Sequence, residues 1–153
     1  MADYYTNFSL VLELPDQAAQ EYALNRAQEA ASWQIDEEIP ADFPAPLADV
    51  LEIWHFETEA ESSPDQGNYG LWLHSSNGGI DAVCAFIQHL LRKFQPDGRV
   101  EFEWSNDCSK PRTDAYGGGA AVITARKIKT MTTGEWLQKQ ITRGRKHQPK
   151  GDP

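Results

Sequence analysis

Between Tyr69 and Trp104 the chain reads as a strand, a helix and a second strand with sharp boundaries, and no other stretch constrains the fold as much. Leu71 and Leu73 alternate with Trp72 and His74, the period of two expected of a strand with one buried face, and Ser75-Ser76-Asn77-Gly78-Gly79 breaks it. Ile80, Val83, Cys84, Ile87, Leu90, Leu91 and Phe94 then recur at helical spacing, opposite Asp81, Ala85, Gln88 and Arg92, until Pro96-Asp97-Gly98 ends the helix. Alternation resumes with Val100, Phe102 and Trp104 on one side and Glu101, Glu103 and Ser105 on the other.

The flanking segments extend this unit. Phe8, Leu10, Leu12 and Leu14 alternate with Ser9, Val11 and Glu13 in a first strand. Asp16 is an N-cap candidate for a helix from Gln17 to Trp33, whose inner side would carry only Ala19, Ala23, Ala27 and Ala30 beside Tyr22. Pro40, Pro44 and Pro46 rule out one regular element from Gln34 to Asp49, which reads as a surface connection. Glu52 to Ala60 reads as the next strand, with Trp54 and Phe56 inward and His55, Glu57 and Glu59 outward. A hairpin turning near Pro64 and Asp65 pairs residues whose numbers sum to about 129, setting Phe56 against Leu73 and His55 against His74 with like faces together. Ala120 to Ile128 reads as one further strand, and Thr132-Thr133-Gly134-Glu135 as the capping box of a short closing helix with Trp136, Leu137 and Ile141 on its stripe.

The order β-α-β-β-α-β-β-α predicts an α+β fold with an antiparallel-rich sheet. Its first six elements match the ferredoxin-like plait (β-α-β-β-α-β), with an added C-terminal strand and short helix. One domain over residues 1–142 and a basic flexible tail over 143–153 account for the whole chain. Many unrelated functions use such a plait, so the fold alone assigns none.

Composition narrows the function classes. No apolar run approaches the length of a membrane span, and Met1 to Tyr5 lacks the basic and apolar regions of a secretory signal, so a cytoplasmic protein without membrane contact is expected. Cys84 and Cys108 are too few for a disulfide framework and lack metal-ligand spacing. Net charge is −9, but residues 1–78 set fifteen acids against Arg26 alone, while residues 79–153 set thirteen Lys and Arg against eight acids. Two electrostatic poles follow.

Two places carry chemistry in sequence. The sheet face away from the helices would collect His55, Glu57, Trp72, His74, Glu101 and Glu103, an acidic interaction face around an aromatic; a solvated face whose Trp72 touches another subunit accounts for the same residues. The Gly-rich loop 106–119 holds Cys108, Lys110, Arg112, Tyr116, Gly117, Gly118 and Gly119, a candidate ligand site where glycine N–H groups and two cations could cradle an anion. The Gly-Lys-Ser/Thr ending of a phosphate loop is absent, and no His adjoins Cys108 to activate it. No catalytic residue, cofactor or metal set is assigned from the sequence, and an enzyme using Cys108 or the His–Glu face stands third among the readings. The expectation is a non-enzymatic accessory protein that works through protein contacts on its acidic surface, with a protein partner or a homo-oligomer. The alternative is nucleic-acid or anionic-ligand binding through the 106–119 loop and the basic tail.

Overall fold

The computed structural model describes residues 2–146. Six strands form one antiparallel sheet: β1 (Tyr4–Leu14), β2 (Glu57–Ser63), β3 (Asn68–Ser75), β4 (Arg99–Cys108), β5 (Gly117–Thr124) and β6 (Ile128–Thr132), in spatial order β2-β3-β1-β4-β5-β6. Four helices accompany them: α1 (Gln17–Ser32), α2 (Ala45–Ala48), α3 (Ile80–Phe94) and α4 (Thr133–Lys146). The architecture is therefore mixed α+β.

Local chemistry sets the helix limits. The Asp16 carboxylate accepts from Ala19 N–H at 2.8 Å, capping α1. Ala19, Ala23, Ala27 and Ala30 are all buried, so a side without bulk brings the α1 backbone close to the sheet. Gln20 bridges the two layers, its Nε2 donating to the Gly70 carbonyl at 2.8 Å. The chain enters α3 through Gly78 and Gly79 at φ 85° and 82°, a left-handed pair that residues with a Cβ resist.

The alternation reads the sheet faces correctly. Phe8, Leu12, Leu71, Leu73 and Phe102 lie in the core and Leu10 packs against it, while Ser9, Val11, Glu13, Glu101 and Glu103 are exposed on the opposite side. The hairpin register differs from the expected one by two residues: Glu57 faces His74 and Thr58 faces Leu73. A shift of two preserves every side chain's face. It also removes Trp54, His55 and Phe56 from β2. A 3-10 turn at Leu51–Ile53 precedes them, and Trp54 and Phe56 are buried from an extended connection rather than from a strand.

Three other expectations need correction. The connection from Gln34 to Asp49 is not merely superficial, since Phe43 and Leu47 are buried and α2 packs on α3. The stretch 120–128 is not one strand: β5 ends at Thr124 and the chain turns back into β6. Thr124 Oγ1 accepts from Lys127 N–H at 3.1 Å, and Thr124 N–H donates to the Lys127 carbonyl at 2.8 Å, so a hydroxyl closes a turn without Gly, Asn or Pro. Finally, α4 continues to Lys146, past the expected start of the tail at 143; residues 147–153 lie outside the described residues.

One irregularity shapes the surface. β1 pairs with β4 only over Tyr4–Asn7, against Ser105–Cys108, whereas Phe8–Leu14 pairs only with β3. Past Asn7 the two strands diverge. Gln95 at the end of α3 partly bridges the opening, its Nε2 donating to the Glu13 carbonyl at 3.1 Å.

Candidate functional site

The face opposite α1 and α3 is a ring of carboxylates around a fixed aromatic. Because Glu57 faces His74 and Glu59 faces Trp72 across β2 and β3, these four side chains share one patch. Across β1 and β3, Ser9 faces His74 and Val11 faces Trp72. The Trp72 indole stacks on the His74 imidazole with centroids 3.9 Å apart, and its Nε1 donates to Ser9 Oγ at 2.8 Å. His74 Nε2 lies 2.9 Å from Glu59 and 3.7 Å from Glu57. Surface contacts of this kind contribute little stability, but here they orient a ring that holds another ring. Trp72 is thus a pre-oriented, half-buried platform beside two carboxylates.

Glu101 and Glu103 extend the acidic field on β4, with Glu13 on β1 and Glu61 on β2, all exposed. Arg99, 2.6 Å from Glu101, and Lys129, opposite Val122, are the cations that strand alternation brings to this side. Where β1 leaves β4, a groove of about 530 Å³ opens among Ser9, Leu10, Glu101, Phe102, Glu103 and Ala120–Val122. No helix residue is among those that line it, and of its lining side chains Ser9, Glu101, Glu103 and Val122 lie on the uncovered side, while Phe102 and Ala121 belong to the core and Leu10 packs against it.

Of the face residues expected from sequence, Glu57, Trp72 and His74 meet, Glu101 and Glu103 lie across β1 from them, and His55 stands apart. His55 precedes β2, where its backbone carbonyl accepts from Ser75 Oγ at 2.7 Å. Among the described residues no group of three or more His, Cys, Asp and Glu is placed to hold a metal ion.

The 106–119 segment is shorter as a loop than its composition indicates. β4 runs through Cys108 and β5 begins at Gly117, leaving 109–116 between them. Gly117, Gly118 and Gly119 are strand residues opposite Asn106, Ser105 and Trp104, and none has a positive φ. Gly118 N–H donates to Thr133 Oγ1 at 3.2 Å. Lys110, Arg112 and Tyr116 are exposed, with Arg112 Nη1 3.4 Å from the Tyr4 hydroxyl and the Tyr116 hydroxyl 3.4 Å from the Lys110 carbonyl. Cys108 is half-buried. Cys84 is buried on α3, and desolvation, with Asp81 adding to it, pushes its thiol up to about 12. That sulfur is packing, not a nucleophile.

A cluster that the sequence reading missed joins α1 to α3. The Tyr22 hydroxyl lies 2.7 Å from His89 Nε2, and Lys93 Nζ and the Arg26 guanidinium sit 4.7 and 5.3 Å from the Tyr22 ring centroid. Helical spacing marked Tyr22 as inward but carried no signal pairing it with a residue 67 positions away. Burial first, then Lys93, Arg26 and Arg92, holds His89 below its ordinary 6.5. The unfolded chain therefore takes up a proton before the folded one does. Stability should be full above 6.5 and fall as the pH drops from there toward the depressed folded-state value. Urea unfolding at about pH 7.5 and about pH 5.5, above most carboxylate titration, should show this loss, and His89→Gln should reduce it. An unchanged pH slope in the variant would assign the effect elsewhere.

Among the described residues no helix is long and apolar enough to cross a membrane. Compared with family models, curated proteins and solved structures, the chain matches none.

Proposed function

We propose that this chain is a cytoplasmic, non-enzymatic contact module that uses its uncovered acidic sheet face to bind a basic segment of a protein. The finer fold reading behind it is a ferredoxin-like plait formed by β1-α1-β2-β3-α3-β4, extended by β5, β6 and α4. The strand order β2-β3-β1-β4 within the larger sheet supports that reading.

The carrying observation is the Trp72 platform. An indole held by Ser9 and His74 and flanked by Glu57 and Glu59 suits a Lys or Arg side chain, whose charge meets the carboxylates while its stem or guanidinium lies on the ring. Little side-chain entropy remains to be lost on binding, because the ring is already oriented. The surrounding carboxylates repel phosphate backbones, which disfavours nucleic acid at this face. The second reading, nucleic-acid or anionic-ligand binding through the 106–119 loop and the basic tail, rests instead on exposed Lys110, Arg112 and Tyr116 in that loop, with Arg112 Nη1 3.4 Å from the exposed Tyr4 hydroxyl.

One titration separates them. A fluorescein-labelled amphipathic Lys/Leu helical peptide should bind at low salt, weaken as salt rises, and lose roughly tenfold or more in affinity to Glu57→Lys/Glu59→Lys. A labelled single-stranded oligonucleotide should show no such loss. If the peptide fails to bind at low salt, or binds the charge-reversed variant equally well, the contact reading is wrong. Oligonucleotide binding abolished by Arg112→Ala would put the second reading in its place.

A further inference from the structure

Helix α4 is amphipathic, yet from Thr133 to Gly144 no residue is buried. Trp136, Leu137 and Ile141 are 53%, 54% and 47% exposed and fall on one side at 100° per residue, with Lys139 and Arg143 bordering that side next to Trp136. An isolated 14-residue helix is marginal in water, and Gly134 and Gly144 weaken this one further. Its N-terminus is nonetheless firmly placed: Thr132 Oγ1 accepts from Glu135 N–H at 3.1 Å, and Thr133 Oγ1 from Gly118 N–H at 3.2 Å. The helix is anchored at one end and presents an apolar stripe to solvent along the rest.

The groove between β1 and β4 is complementary to that stripe. Glu101 and Glu103 line it with charge opposite to Lys139 and Arg143, and Val122, also in its lining, is 36% exposed and gives the stripe an apolar contact. We infer that the chain forms a two-fold dimer in which each copy lays α4 on the uncovered sheet face of the other, Trp136 entering the groove and Lys139 and Arg143 meeting Glu101 and Glu103. This inference rests on the contact reading above and names its partner as a second copy. Charge selects the arrangement. Pairing α4 with α4 would bring together two helices that each carry Lys139 and Arg143 beside the stripe, whereas the sheet face offers the opposite sign. Reciprocal exchange closes the assembly and leaves neither stripe nor groove exposed.

Sedimentation equilibrium of the full chain tests it. At low salt the mass should rise from 17.2 kDa toward twice that value with concentration, and added salt should reverse the rise. Trp136→Ala/Leu137→Ala and, separately, Glu101→Lys/Glu103→Lys should each raise the dimer dissociation constant roughly tenfold or more, with melting temperatures of the dilute chains unchanged. Adding Lys139→Glu/Arg143→Glu to the second variant should restore the dimer. A monomer at all concentrations overturns the proposal, and so does a dimer indifferent to Glu101 and Glu103. A monomer that still binds the Lys/Leu peptide through Glu57 and Glu59 would sink self-association and leave the contact reading standing. A chain that does neither would lose both.

Discussion

Phe86→Ala should cost about 3–5 kcal/mol, a large part of the stability of a domain this size, and lower the melting temperature by roughly 6–20 °C. Phe86 is fully buried on α3. Its ring meets Trp54 edge-on at 5.2 Å and Phe56 at 6.0 Å, and those two rings lie 4.6 Å apart. The cluster is the contact through which the irregular connection before β2 holds onto α3, with α2 packed on the same helix. Removing the ring leaves a cavity that rigid neighbours cannot fill, and it also frees the connection. Among the described residues Trp54 Nε1 is buried without a hydrogen-bond partner, so the indole contributes to the cluster by packing. Urea unfolding gives the loss directly. Hydrogen exchange should show that 43–56 opens more readily in the variant, and a loss under about 1 kcal/mol would mean the connection holds without this ring.

That cluster also shows where sequence reading stops. Period-two alternation is a property of one strand and one boundary with solvent, so Leu71 against Trp72, or Phe102 against Glu101, reveals its face with no other information. The same rule placed Glu57, Trp72 and His74 on a common patch before the register was known, because an error of two residues moves partners along a strand but not across the sheet. Phe86 fails that test. It lies outside the main apolar stripe of α3, since the helix is covered on a second side by a segment whose three prolines hide any period. Trp54 and Phe56 mimic strand alternation because an extended connection also turns alternate side chains inward. The groove beside Glu101 and Glu103 was illegible for a related reason: nothing in the composition of β1 says that it trades β4 for β3 after Asn7. The three glycines of β5 were misread because Gly in sequence signals either freedom of φ or lack of a side chain, and only neighbours decide which.

Gly119→Ala should show which of those two properties matters there. Gly119 faces Trp104 across β4 and β5, and a Cβ built on it would run into the Trp104 indole on one side and meet the Met131 carbonyl of β6 at 2.5 Å on the other. Its φ is ordinary, so the strain is steric and not conformational. The indole lies across the glycine, covering a gap in the sheet that any side chain would occupy. Overpacking of a fixed site costs about 1–3 kcal/mol, and with a backbone atom as the second obstacle the upper end of that range or beyond is expected. The two obstacles can be separated. If the indole is the main one, Trp104→Ala should remove most of the added penalty, so that the double variant is more stable than the sum of the single losses allows, with a coupling energy of about 1 kcal/mol or more. If the two losses simply add, the Met131 carbonyl dominates, and the damage should appear instead as weakened pairing of β6. Because α4 follows β6 directly, that second outcome would also loosen the helix and, through it, the self-association that α4 supplies.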